Sequence, residues 1–191
     1  MITLSRPVQP RKPFQDAVRA VRPAPLAAQA IATLQINLGY RCNLSCSHCH
    51  VEAGPGRVET MSSGTADAVL AALAHSPAGT LDITGGAPEL NPSFRRLAAA
   101  ARKLGRRVTV RTNLAVLQGP EMADLPEFLR DHQVELIASL PCYLQQNVDA
   151  MRGAGTFVRC IASLRTLNSL GYGTPGGLPL HLVYNPAGPF L

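Results

Sequence analysis

Apolar and polar residues alternate in the stretch 33–38, where Leu34, Ile36 and Leu38 oppose Thr33, Gln35 and Asn37. Such alternation predicts a β-strand with one side buried. Stretches 80–84, 108–113, 134–139 and 180–185 predict four more. Between them the period lengthens to that of helices. Ser62 or Ser63 is placed to cap a helix carrying Val69, Leu70 and Leu73. Asn91 as N-cap and Pro92 at the first position predict another, with the stripe Phe94, Leu97, Ala98, Ala101 and Leu104, ended by Gly105. Two more are predicted over 124–132 and 156–170, the latter closed by Gly171, and 140–155 reads as a long connection. Residues 1–30 read as a partly ordered, Pro- and Arg-rich arm; 14–21 could make a short helix stopped by Pro23 and Pro25, but a loosely ordered arm is the favoured reading.

Strands alternating with helices imply parallel βαβ units, hence an α/β core domain over 31–191. A closed eight-fold barrel takes about 250 residues. At 191 residues the chain suits a partial, open βα barrel with about five parallel strands. Strand residues point alternately to opposite sides. With Leu34, Ile36, Leu81, Ile83, Val108, Val110, Val134, Leu136, Leu180 and Leu182 against the helices, the other side is polar. It carries Gln35, Asn37, Asp82, Thr84, Thr109, Arg111, Asn113, Glu135, Ser139, His181 and Asn185. Buried parallel strands are usually apolar on both faces, so this side predicts a lumen for water or a polar ligand.

Composition narrows the classes. Hydrophobic residues make up 46% and charged residues 16%, which is globular. The net charge is +6, but the arginines are scattered and aromatics reach only 5%, so no nucleic-acid partner is expected. No apolar run approaches ~20 residues, so no membrane span is expected. The arm lacks the apolar segment of a signal peptide. Five cysteines, three of them clustered within eight residues, argue against a secreted disulfide framework and for a reducing cytoplasm.

Those three cysteines carry the chemistry. Cys42, Cys46 and Cys49 follow the first strand with the spacing C-x-x-x-C-x-x-C. A cubane iron–sulfur cluster takes four thiolates. Three leave one iron open to a small molecule. The alternative is structural zinc, with His48 or His50 completing a Cys3His set. Zinc modules usually split their ligands into separated pairs, whereas these lie within nine residues.

The triplet, with its position after a strand, resembles the radical S-adenosylmethionine (SAM) superfamily. Three stretches narrow the likeness: Cys46-Ser47-His48-Cys49-His50-Val51-Glu52-Ala53-Gly54-Pro55, Thr84-Gly85-Gly86-Ala87-Pro88-Glu89-Leu90-Asn91-Pro92 and Ala138-Ser139-Leu140-Pro141-Cys142-Tyr143. Together they resemble the arsenosugar-biosynthesis radical SAM protein family. The resemblance implies a [4Fe–4S] cluster on Cys42, Cys46 and Cys49, with SAM chelated at the open iron. It implies reductive cleavage of SAM to methionine and a 5′-deoxyadenosyl radical, fed by a reductant such as flavodoxin or ferredoxin. It also implies coupling of the deoxyadenosyl group to a methylated trivalent arsenical; the alternatives are a radical SAM enzyme acting on another substrate, such as a peptide, and a non-catalytic zinc- or cluster-binding fragment. The family continues past this point with further cysteines, so the chain resembles a truncated member.

The same resemblance assigns cofactor contacts. Gly85 and Gly86 would bring backbone close to the SAM ammonium, and Glu89 would anchor the ammonium or the loop. Ser139 would bind ribose hydroxyls. Asn113 is either a similar ligand or a strand-end turn residue. Tyr40 and His48 would pack near adenine. Arg111 would face a carboxylate in the lumen or pair with Glu135. Cys142, a soft thiol past the fourth strand, is either the candidate catalytic ligand for arsenic or an inert buried cysteine. Cys160 reads as core.

Overall fold

A computed structural model describes residues 13–22, 24 and 30–184. The chain separates into two units, 1–30 and 31–191. In the first, α1 spans Phe14–Val21, the less favoured of the two readings of this stretch, with none of its residues buried. Pro23, Pro25 and most of the arm lie outside the described residues.

The second unit is one open sheet of five parallel strands in the order β1-β2-β3-β4-β5. The strands are β1 Thr33–Asn37, β2 Thr80–Thr84, β3 Arg107–Thr112, β4 Glu135–Ser139 and β5 Leu180–Val183. Asn185, placed by the sequence at the end of the fifth strand, lies outside the described residues. Between the strands run α2 Ser63–His75, α3 Phe94–Lys103, α4 Leu125–Asp131, α5 Gln145–Arg152 and α6 Thr156–Ser169. No described helix is long and apolar enough to cross a membrane.

The phase of the strands follows the alternation. Leu81, Ile83, Val108, Val110 and Leu136 are fully buried, together with Leu73 of α2 and Phe94, Leu97, Ala98 and Ala101 of α3. Each such aliphatic side chain contributes roughly 1.5–3 kcal/mol by leaving water. The opposite side carries a polar row across the sheet, with Gln35 opposite Asp82, Asp82 opposite Thr109, and Thr109 opposite Glu135.

Three local expectations are corrected. Asn91 does not cap α3; Ser93 occupies that position after a 3-10 turn at Pro88–Leu90. Asn91 is a tether instead. Its Nδ2 donates to the Leu38 and Met61 carbonyls and to Thr60 Oγ1, at 2.8–3.1 Å, and its Oδ1 accepts from Ser93 N at 2.7 Å. The 140–155 connection contains α5, whose Gln145-Gln146-Asn147 start hides any apolar stripe. Arg111 pairs with Asp82 at 2.9 Å, while Glu135 meets Arg107 at 3.6 Å. Asp82 and Glu135 both flank Thr109, and the two carboxylates are divided between Arg111 and Arg107 of the same strand.

Candidate functional site

The cysteine loop leaves β1 and is held from two sides. Tyr40 N bonds the Glu59 carbonyl, Gly54 N bonds Tyr40 O, and Cys42 N bonds Gly54 O, at 2.9–3.1 Å. On the other side Gly86 N reaches Gly39 O and Ala87 N reaches Arg41 O, both at 2.9 Å. The Gly85–Gly86 turn therefore lies directly against the backbone that delivers Cys42. Gly85 has φ +154°, and a Cβ there would lie 2.9 Å from Gly39 O. A Cβ on Gly86 would sit 2.5 Å from Arg41 O and 2.9 Å from Tyr40 O. Gly86→Ala must push the two loops apart and is expected to destabilise the chain by ~1–3 kcal/mol. Urea unfolding of the variant checks this.

The far rim of the loop rests on α5. Ser47 N donates to Met151 O at 3.0 Å. The next residue, Arg152, is only 6% exposed. Its Nη1 donates to Ser139 O at 2.6 Å and its Nη2 to Ser139 Oγ. Its Nε is buried without a partner.

These elements enclose a cavity of about 430 Å³ at the carboxyl edge of the sheet. Cys42, Cys46 and Cys49 line it together with Gly85 and Gly86. So do His48, Arg111, Asn113, Ser139 and Arg152. The volume falls in the usual range for small-molecule pockets, roughly 300–1,000 Å³. The floor is braced by Asp82, which accepts from Gln35, Thr109 and Arg111. Burial alone would raise the Asp82 pKa, but these donors outweigh it and hold the carboxyl below its ordinary value.

Not every predicted residue reaches the cavity. Tyr40 turns to Arg57, whose guanidinium lies 4.8 Å over its ring. Cys142 is 3% exposed and does not line the cavity. Its sulfur accepts from Leu144 N at 3.5 Å and Asn147 Nδ2 at 3.3 Å, and these donors draw its pKa down. Cys160 is fully buried in α6, as expected of a core residue. Arg152 was missed from the sequence, because it stands in no motif and 103 positions beyond Cys49 in a stretch read as loop.

Glu89 is buried beside the glycine turn rather than on the cavity wall. Neither carboxylate oxygen has a partner. Burial pushes its pKa up to about 7; Thr112 lies near enough to pull the other way but does not meet either oxygen in hydrogen-bonding geometry. The unfolded chain ionises this group near its ordinary value of 4.5. Between those values the folded state binds more protons than the unfolded one, so stability falls as pH rises from 4.5 to 7. The full cost above pH 7 is about 3 kcal/mol. Glu89→Gln is expected to stabilise the apoprotein by that order at pH 8 and not at pH 4.5, read from denaturant midpoints.

The donor set fits an iron–sulfur cluster. Among the described residues, no three His, Cys, Asp or Glu side chains gather closely enough to share a single metal ion. The three thiols instead open on one cavity, as suits a cluster whose irons each take one sulfur. Burial raises the pKa of Cys42 and Cys46, and the charge of Arg152 pulls Cys46 back. Two buried nitrogens on the cavity wall, His48 Nδ1 and Arg152 Nε, are left without partners, as a site for a polar ligand requires.

Comparison with known proteins agrees. The radical SAM superfamily profile matches residues 36–186. The mycofactocin maturase MftC of Mycobacterium ulcerans is 30% identical over 71% of this chain and 36% of its own length. The antilisterial bacteriocin subtilosin biosynthesis protein AlbA of Bacillus subtilis is 26% identical over 70% of this chain and 30% of its own. The chain thus spans about a third of the length of these curated relatives. Among solved structures, Streptococcus suis SuiB bound to its precursor peptide SuiA superposes with a TM-score of 0.64 at 19% identity, over 80% of this chain and 32% of that one. The enzyme anSMEcpe with bound AdoMet gives 0.63 at 16% identity, over 81% and 43%. The family's cofactors are a [4Fe–4S] cluster and SAM. The chain belongs to the radical SAM superfamily.

Proposed function

We propose that this chain is the cofactor-binding core of an enzyme that cleaves SAM reductively and transfers the 5′-deoxyadenosyl group to a methylated trivalent arsenical. The observation that carries the SAM chemistry is the single cavity shared by three thiols, the glycine turn and the Ser139–Arg152 pair. Cys42, Cys46 and Cys49 would hold a [4Fe–4S] cluster, which would supply the electron for cleavage of the C5′–S bond of SAM, with flavodoxin or ferredoxin as the class of reductant that would replenish it.

The chain's own residues bind and orient. Arg152 presents a buried positive charge to the cavity, suited to the methionyl carboxylate of SAM. Because Ser139 Oγ accepts from Arg152, its own proton is free to donate to a ribose or carboxylate oxygen. Carbonyls of the Gly85–Gly86 turn are the acceptors offered to the SAM ammonium. His48 offers a ring face and an unpartnered nitrogen to the adenine side.

The arsenical rests on the three sequence stretches shared with the arsenosugar-biosynthesis family. Cys142 would bind arsenic from the loop after β4, once that loop opens to admit it. A second reading, a peptide substrate, is favoured by the names of the relatives: a maturase, a bacteriocin biosynthesis protein and an enzyme crystallised with a precursor peptide. Anaerobic protein, dithionite and SAM are incubated with a methylated trivalent arsenical and analysed by mass spectrometry. An arsenic-bearing deoxyadenosine supports the first reading. Release of 5′-deoxyadenosine alone sinks it and leaves the peptide. Release of neither removes both.

A further inference from the structure

We propose that Asn113 tunes the reduction potential of the cluster by donating an N–H hydrogen bond to the sulfur of Cys42. The proposal rests on the radical SAM reading of the cavity, takes the place of the ligand role its sequence position suggested, and stands beside the strand-end turn role, which its Oδ1 fills by accepting from Val116 N at 2.9 Å.

Asn113 directly follows β3 and lines the cavity. Its amide orientation is fixed by its partners. Oδ1 accepts from Val116 N at 2.9 Å, at the start of a 3-10 turn over Ala115–Gln118. The oxygen is thus committed to a backbone donor, and the NH2 group must point the other way. It meets two acceptors there, Asn43 Oδ1 at 2.8 Å and Cys42 Sγ at 3.5 Å. Both amide protons are therefore spent within the cysteine loop, which leaves none for a ribose hydroxyl.

The backbone around Asn113 is clamped. Leu114 is fully buried and held at φ +64°, a region that costs a non-glycine residue ~1 kcal/mol or more. Its carbonyl accepts from Ser163 Oγ of α6 at 2.8 Å, and Ser163 in turn accepts from Gln118 Nε2 at 3.0 Å. The Asn113 carbonyl faces Cys160 Sγ at 3.5 Å. A strained turn persists only when its surroundings over-determine it. Here α6 does so, and the product is one amide aimed at one sulfur.

The three thiols differ in what they receive. Cys49 Sγ accepts from the main-chain N–H of Ala53 at 3.3 Å. Cys46 faces the charge of Arg152. Among the described residues, Asn113 is the one side chain that donates to any of the three sulfurs. Hydrogen bonds to cluster sulfurs favour the more negative, reduced state and raise the potential.

The test is a potentiometric titration, followed by electron paramagnetic resonance, of the anaerobically reconstituted full chain and two variants. Asn113→Asp keeps an acceptor for Val116 N–H and nearly the same shape, but sets a carboxylate against the sulfur. A hydrogen bond to a charged group is worth about 1.5 kcal/mol, or about tenfold. At the wild-type midpoint the reduced-to-oxidised ratio of N113D is expected to fall about tenfold, a shift of ~59 mV. Asn113→Ala should move it in the same direction by less. Iron, sulfide and circular dichroism should match wild type. An unchanged or raised potential in a fully loaded variant overturns the proposal. Folded variants that load no cluster also overturn it, in favour of an assembly role. If N113D does not fold, N113A decides. Failure of the wild-type chain to build any cluster strikes instead at the reading of the cavity itself.

Discussion

Cys46→Ala is expected to give a folded chain that holds no stable iron–sulfur cluster. Cys46 is half-buried, and among the described residues no hydrogen bond is lost with its sulfur. The loop around it is fixed by backbone bonds, from Cys49 N to Cys46 O at 3.2 Å and from Ser47 N to Met151 O at 3.0 Å. Removing one sulfur should therefore leave circular dichroism and the unfolding midpoint within experimental scatter. Its effect on the metal is all or none. Three thiolates already leave one iron of a cubane without a protein ligand, and two leave a pair exposed. Iron after anaerobic reconstitution should fall from about four per chain to background. Release of 5′-deoxyadenosine should vanish with it. A variant that keeps full iron would move the metal centre away from this loop.

Arg152→Met is expected to weaken SAM binding by roughly 10- to 150-fold. The range follows from ~1.5–3 kcal/mol for a hydrogen bond to a charged group. Methionine approximates the length of the arginine stem and fills its buried path. It removes the two donors to Ser139 and the cavity-lining cation whose buried Nε still lacks a partner. Two effects add: the carboxylate loses its counter-charge, and the Ser139 hydroxyl loses its orientation. Arg152→Lys keeps charge without the planar fork and should fall between the two, because a lysine is a point charge on a flexible stem. Calorimetric titration of SAM into reconstituted protein gives the dissociation constants. Equal affinity in wild type and R152M would show that the SAM carboxylate lies elsewhere.

The backbone plan was legible because one side of β1 to β4 had to leave water; β5 kept the alternation although its Leu182 is 54% exposed. Leu81, Ile83, Val108 and Val110 announce their burial by alternation, and Ser62 announces a helix by its hydroxyl, which accepts from Thr65 N at 3.1 Å. The cysteine spacing and the glycine pair were equally visible, since both are local. What stayed hidden depended on contacts between distant segments. Asn91 has the right type and position for a cap, yet three carbonyl and hydroxyl acceptors from the β1 exit and the 60–61 segment claim its amide. Arg111 had two carboxylates available on neighbouring strands, and it takes Asp82 while Glu135 meets Arg107. α5 lacks a clear apolar period, so Arg152 at its end was read as loop. Its one sequence signal was its place just before Gly153, where a basic residue suits a helix C-terminus.

What the three thiols hold is measured directly by metal analysis. Iron, zinc and acid-labile sulfide are quantified in anaerobically reconstituted full chain, with Mössbauer spectra taken before and after addition of SAM. The account predicts about four irons and four sulfides per chain, with one iron site changing its spectrum when SAM is added. One zinc per chain with no iron, or a cluster whose spectrum ignores SAM, would contradict it.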